Sequence, residues 1–279
     1  MDSMALRTFR TSEMSPEAIC RVLQPAEADI ARVQAIVDGI LAEVRSRGDA
    51  AVLEFTRQFD WPEATLDGLR VTEEEIARAT DALDLSVLGA MRQAAENIRR
   101  YHERQMPRDW FEEMQPGLRL GLRHTPVDSA ACYVPTSKAS LPSSLLMSVV
   151  PAQVARVPRI AVVGPCRRDG TLPAGVLAAA ALLGVTEMYK LGGAVAVAAM
   201  AYGTDTFPKL DKFVGPTNLF GTLAKRAVFG EIGIDGLYGP SDVTIVADGS
   251  APAAWAAADM LSQAEHGEDS PAILVTPDA

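Results

Sequence analysis

Apolar residues recur at three- and four-residue spacing over 28–46, where Ile30, Val33, Ile36, Val37, Ile40, Leu41 and Val44 make one stripe. This predicts an amphipathic helix that stops at Gly48, followed by a second over 49–58 that ends before Trp61-Pro62. Thr72 and Glu75 stand at capping-box spacing and open a helix whose apolar face continues through Ile76, Ala79 and Leu83. A longer helix over about 85–105 ends before Pro107.

From residue 118 the period changes. Short apolar runs bounded by Gly and Pro (Ala130–Val134, Arg159–Val163, Glu187–Leu191, Lys212–Val214, Val243–Ala247, Ala272–Val275) alternate with helical stretches at 143–156, 173–183, 193–202, 217–228 and 251–265. Strand, helix, strand in this rhythm predicts βαβ units and an α/β fold with mostly parallel sheets. Two sheets are expected rather than one, because the pattern restarts near residue 243 after a loop carrying Gly230, Gly233, Gly236 and Gly239. The chain stops at Ala279 directly after a strand-like run, so it is expected to be incomplete as a catalytic unit.

Composition narrows the class. Of 279 residues, 48% are hydrophobic and 22% charged, which fits a globular protein and disfavours disorder. A net charge of −10 argues against nucleic acid and anionic membrane surfaces as partners. Cys20, Cys132 and Cys166 are far apart and form no CxxC pair, so reduced thiols are expected rather than a disulfide framework. The N-terminal residues lack the apolar core of a signal peptide, and the Ala-rich stretch at 173–185 is too short to span a bilayer. A soluble cytoplasmic protein is the expectation.

Five segments could carry chemistry. YVPTSKASLPSS (133–144) leaves a strand end and enters a helix, the place where open α/β sheets bind ligands; an ordinary loop would look the same. LGGAVAVAAMAYG (191–203) resembles half of a dinucleotide turn without completing G-x-G-x-x-G. Asn218 follows a Gly-Pro turn and could cap a helix or touch a ligand. Ser241 stands on a Gly-Pro turn without a nucleophile elbow, which favours a contacting hydroxyl over a nucleophile. Gln263 and His266 lie three apart near a helix end, where two donors on one face can chelate a metal, although Gln is an uncommon ligand.

Taken together, YVP..KAS.PSS.LM, GGA....A.AYGT, DK.VGP.N, AKR.VFG..GID, GPSDV.IVAD and AADMLSQAEH resemble the marks of the histidinol dehydrogenase family, in its order and approximate spacing, over about 130–279. The resemblance implies two Rossmann-like domains, one from 28–132 plus 243–279 that carries the zinc helix and one from 133–242 on the NAD side, with 1–27 as an N-terminal arm. It implies NAD and Zn2+ as cofactors, with L-histidinol oxidised to L-histidine through an aldehyde by a homodimer with shared sites. Position by position, Gln263 and His266 match zinc ligands that also hold substrate, Ser241 a substrate-contacting serine, and Tyr133 and Asn218 positions that contact NAD. The family's Glu-His pair and its remaining zinc ligands would lie downstream, so no catalytic residue is expected within the chain and the chain alone is expected to be inactive.

Three departures fall on the cofactor side. Val195 stands where the family usually has a Gln that touches NAD, and an apolar side chain cannot replace its hydrogen bonds. VGPTN replaces VGPGN at Thr217, and YVPTSKA replaces YVPGGKA at Thr136 and Ser137. These changes imply weak or altered NAD binding. They leave open a related dehydrogenase of another amino alcohol or polyol, and a non-catalytic remnant of the fold.

Overall fold

A computed structural model describes residues 7–23, 27–136, 140–238, 242–265 and 270–277. Helices α1 (Pro16–Leu23), α2 (Glu27–Arg47), α3 (Asp49–Phe59), α4 (Glu73–Asp81) and α5 (Leu85–Glu103) come first. The capping box forms as expected: Glu75 N–H donates to Thr72 Oγ1 at 3.2 Å and Thr72 N–H to Glu75 Oε2 at 3.0 Å. A hairpin that the helical reading of this region did not anticipate follows, β1 (Trp110–Gln115) against β2 (Leu118–Leu122), antiparallel.

The remaining elements alternate: β3 (Ser129–Tyr133), α6 (Pro142–Val154), β4 (Arg159–Gly164), α7 (Ala174–Leu182), β5 (Met188–Lys190), α8 (Gly193–Tyr202), β6 (Lys212–Val214), α9 (Leu219–Val228), β7 (Gly233–Ile234), β8 (Val243–Val246), α10 (Ala253–Ala264) and β9 (Ala272–Val275). Strands β3 to β7 form a five-stranded parallel sheet in the order β5-β4-β3-β6-β7. Strands β8 and β9 pair in parallel as a separate sheet, with α10 as their crossover. The α/β class and the second sheet restarting near residue 243 are both as expected.

Both faces of the central sheet are covered, which is why its strands read as continuous apolar runs rather than alternating ones. The pleat sends Ala131, Tyr133, Ala161, Val163, Tyr189 and Phe213 into one core with residues of α2, α3, α8 and α9. It sends Cys132, Val134, Val162 and Met188 into another with residues of α4, α5, α6 and α7. Each connection between parallel strands therefore lands on a definite face. Helices α6 and α7 pack on one side as the chain winds outward from β3 to β5. Helix α8 returns the chain from β5 to β6 on the other side, and α9 packs there as it winds on to β7. The direction of winding reverses between β3 and β6, and the carboxyl ends of those neighbouring strands are where sheets of this kind form a ligand crevice. Among the described residues no helix is long and apolar enough to cross a membrane.

All three cysteines are free; Cys20 is exposed, Cys132 and Cys166 buried. Burial pushes the Cys132 thiol up to about 12 and the Cys166 thiol up to about 11. Both are protonated at neutral pH and hence poor nucleophiles. A thiol reagent at pH 7 should label Cys20 alone in the folded chain, with Cys132 and Cys166 labelled only after denaturation, as read by mass spectrometry.

Candidate functional site at the strand-order reversal

Three loops meet at the carboxyl edge of the central sheet. The one after β3 runs through Val134 and Thr136, the one after β5 is Leu191-Gly192-Gly193, and the one after β6 is Gly215-Pro216-Thr217-Asn218. Helices α8 and α9 begin here, so the positive ends of two helix dipoles face the same edge.

The geometry around Gly215 is tightly specified. Its φ is +116°, and a Cβ there would lie 2.4 Å from the Tyr133 carbonyl oxygen, so only glycine lets β6 leave the sheet at this angle. Both of its peptide groups are held by one ion pair. Gly215 N–H donates to Asp235 Oδ2 at 2.7 Å, Lys225 Nζ donates to Gly215 O at 3.1 Å, and the pair closes with Lys225 Nζ to Asp235 Oδ1 at 2.5 Å. Lys225 is fully buried, and the Tyr238 ring lies 5.6 Å from its ammonium. A buried lysine needs such partners. Here they fix the turn that presents Asn218.

Asn218 caps α9: its Oδ1 accepts from Gly221 N–H at 3.0 Å, and it is exposed at the crevice. Asn218→Ala should therefore cost about 1 kcal/mol of stability, measurable by urea denaturation. The same Oδ1 lies 3.7 Å from where a Cβ of Gly193 would be. Gly193 N–H donates to the Tyr133 hydroxyl at 3.1 Å. Tyr133, Gly193 and Asn218 are thus brought together. The Tyr133 side chain is itself sunk in the core, 2% exposed, and burial pushes its hydroxyl up to about 12. It reaches the crevice only through its bond to Gly193.

The other expected positions divide. Val195 is 4% exposed and packs in the apolar core beneath α8. Thr217 and Thr136, which replace glycines of the family pattern, are turned inward. The Thr217 side chain packs on Gly221 and its hydroxyl meets that of Thr222 at 3.0 Å, while the Thr136 hydroxyl donates to the Pro165 carbonyl. Neither fills the crevice. Ser137, Ser241 and His266 lie outside the described residues. Gln263 stands half-buried in the last turn of α10. Among the described residues no group of three His, Cys, Asp or Glu side chains comes together. Gln263 and His266 would supply half of a tetrahedral shell, with His266 outside the described residues.

Sequence reasoning missed Asp60. It caps the C-terminal end of α3, where the helix dipole disfavours a negative charge. Burial pushes its carboxyl up to about 6. Below the ordinary carboxylate value of 3.8 the group is neutral whether the chain is folded or not. As pH rises from there through about 6, the unfolded chain loses its proton first, so stability falls. Asp60→Asn cannot ionise, and should raise stability at pH 7 by on the order of 1–2 kcal/mol after allowing for partial solvent screening. The gain should vanish at about pH 4, as followed by melting curves across pH.

Comparison with known proteins bears on what such an edge is used for. The family model described as histidinol dehydrogenase matches residues 23–279. A curated histidinol dehydrogenase of Geobacillus kaustophilus is 53% identical over 244 residues, which is 88% of this chain and 57% of the relative. One from Ruegeria pomeroyi is 48% identical over 264 residues, covering 94% of this chain and 60% of the relative. The crystal structure of histidinol dehydrogenase from Elizabethkingia anophelis superposes with a TM-score of 0.78 at 33% identity, covering 92% of this chain and 61% of that one. The chain thus spans roughly three-fifths of the length of the proteins it matches.

Proposed function

This chain belongs to the histidinol dehydrogenase family, and on that premise we propose that it serves the NAD-linked oxidation of L-histidinol to L-histidine. The observation that carries this reading is the crevice where strand order reverses, with Gly192-Gly193 and the Gly215–Asn218 turn at its lip. The residues present fit a dinucleotide. Gly193 keeps its backbone partly open at this edge, two helix N-termini suit a pyrophosphate, and Asn218 offers an amide to it. Bound NAD would take up the hydride from the substrate carbinol. The chain's own part is to hold the cofactor rigidly. Lys225 and Asp235 lock the Gly215 turn, and the buried Tyr133 hydroxyl fixes the first peptide of α8.

Gln263 and His266 are proposed as two ligands of a zinc ion, and Ser241 as a substrate contact, on the family resemblance. A cytoplasmic homodimer with shared sites belongs to the same reading. The exposed hairpin, with Trp110, Phe111, Leu118, Leu120 and Leu122 all at least 44% exposed, supports association. The test is NADH production from L-histidinol and NAD by the protein expressed as its gene encodes it. Zinc-dependent turnover is expected. Absence of turnover with histidinol, but turnover with another amino alcohol or a polyol, would redirect the substrate assignment and keep the enzyme class.

A further inference from the structure

Parallel sheets with this strand order bind the adenosine half of a dinucleotide beyond the strand that follows the central one. An acidic side chain at that strand's carboxyl end accepts the ribose hydroxyls. The strand in that position here is β4, and it ends in Val163-Gly164-Pro165-Cys166, with no carboxylate. A carboxylate nonetheless stands there, delivered from the far side of the chain. Asp60 Oδ2 lies 2.5 Å from where a Cβ of Gly192 would be, and the same point is 2.9 Å from Pro165 Cβ. Asp60 thus sits between the ends of β4 and β5, beside the glycine pair that opens α8.

Its placement is enforced. Trp61, the next residue, is wedged where Gly68 and Gly170 leave room: a Cβ at either would fall within 2.9 Å of the indole. The nearby cation is already committed, since Lys190 Nζ donates to Glu75 at 2.6 Å and lies over the Trp61 ring at 5.5 Å. No donor among the described residues bonds the Asp60 carboxylate, and burial raises its pKa to about 6. A half-buried carboxylate at a helix C-terminus, without a bonded donor among the described residues and at a cost to stability, suits a ligand that supplies hydroxyl donors.

We propose that Asp60 accepts hydrogen bonds from the ribose hydroxyls of the adenosine half of NAD, and that its charge repels the 2′-phosphate of NADP. This rests on the reading of the crevice as a dinucleotide site, and goes beyond it by naming the residue that selects the cofactor.

The experiment titrates NADH and NADPH separately into the chain and into its Asp60→Asn and Asp60→Ala variants at pH 8, following nicotinamide fluorescence. The unaltered chain should bind NADH at least about tenfold more tightly than NADPH. Both variants should lose about tenfold in NADH affinity, as for a lost charge-assisted hydrogen bond, with NADPH binding unchanged or stronger. Melting curves verify the fold, which the Asn variant keeps because it removes an unfavourable charge. Equal loss of NADH and NADPH affinity would reduce Asp60 to a structural role and overturn the proposal, as would no change in either. If the unaltered chain binds neither nucleotide, the dinucleotide reading of the crevice falls first and the proposal with it.

Discussion

Replacing Gly215 with alanine is expected to destabilise the chain by at least about 4 kcal/mol and to abolish binding at the crevice. Two independent costs add. The backbone there has φ +116°, which an L side chain rarely adopts and which costs about 1–3 kcal/mol where it is forced. The new methyl would also meet the Tyr133 carbonyl oxygen at 2.4 Å, and that oxygen belongs to the central strand of the sheet and cannot retreat. Relief would require β3 and β6 to separate, undoing the pairing of Cys132 with Val214. Urea denaturation with a fluorescence readout gives the loss directly. Gly230→Ala is the control. It too has positive φ but nothing within 4 Å of the added Cβ, so it should cost only the backbone share.

The second large effect is expected at Lys225. Lys225→Met should cost about 3 kcal/mol, the low end for breaking a buried pair, because Asp235 retains 24% side-chain exposure and can recover some hydration. The loss goes beyond charge: the Gly215 carbonyl loses its Nζ donor, and Asp235 loses the cation beside the oxygens that accept from the Gly215 and Gly236 amides. The pair is one unit, so the energies should not add. Lys225→Met combined with Asp235→Asn should be less destabilised than the sum of the single changes, since a neutral amide oxygen can still accept from Gly215 without an uncompensated charge. A double-mutant cycle in urea measures the coupling. Additive costs would mean that the two residues act separately.

Much of the fold was legible because buried parallel strands announce themselves. AACYV and RIAVV are runs too short and too apolar for anything but strands between helices, EMYKL is as short and lies between Gly184 and Gly192, and each appears as one. The hairpin at 110–122 was not read, although Pro116-Gly117 between an aromatic run and the alternating LRLGL was a usable signal. Its strands are exposed on every residue, so no buried face sharpens their pattern. Strand β7 is two residues long, below what any periodicity can resolve.

The candidate site was legible where chemistry follows local sequence. Asn218 after a Gly-Pro turn does cap a helix at the crevice. Tyr133 was expected at the cofactor, and the structure holds its ring in the core with the hydroxyl spent on Gly193, a contact between residues sixty positions apart that no local pattern encodes. Asp60 escaped notice for the same reason. Its partners Pro165 and Gly192 come from two other strand ends, and only the tertiary fold shows that a helix terminus supplies the carboxylate that β4 lacks. An acidic residue placed against the helix dipole was the one available hint. Lys225 and Asp235 lay inside recognisable motifs without any indication that they hold Gly215.

On the reading proposed above, the carboxyl edge between β3 and β6 holds NAD. The most direct test is amide chemical-shift mapping of the isotope-labelled chain on titration with NAD. Saturable shifts are expected at Val134–Thr136, Gly192–Val195 and Gly215–Asn218, with Asp60 and Trp61 among them. Shifts confined to other surfaces, or no saturable shift at all, would contradict it.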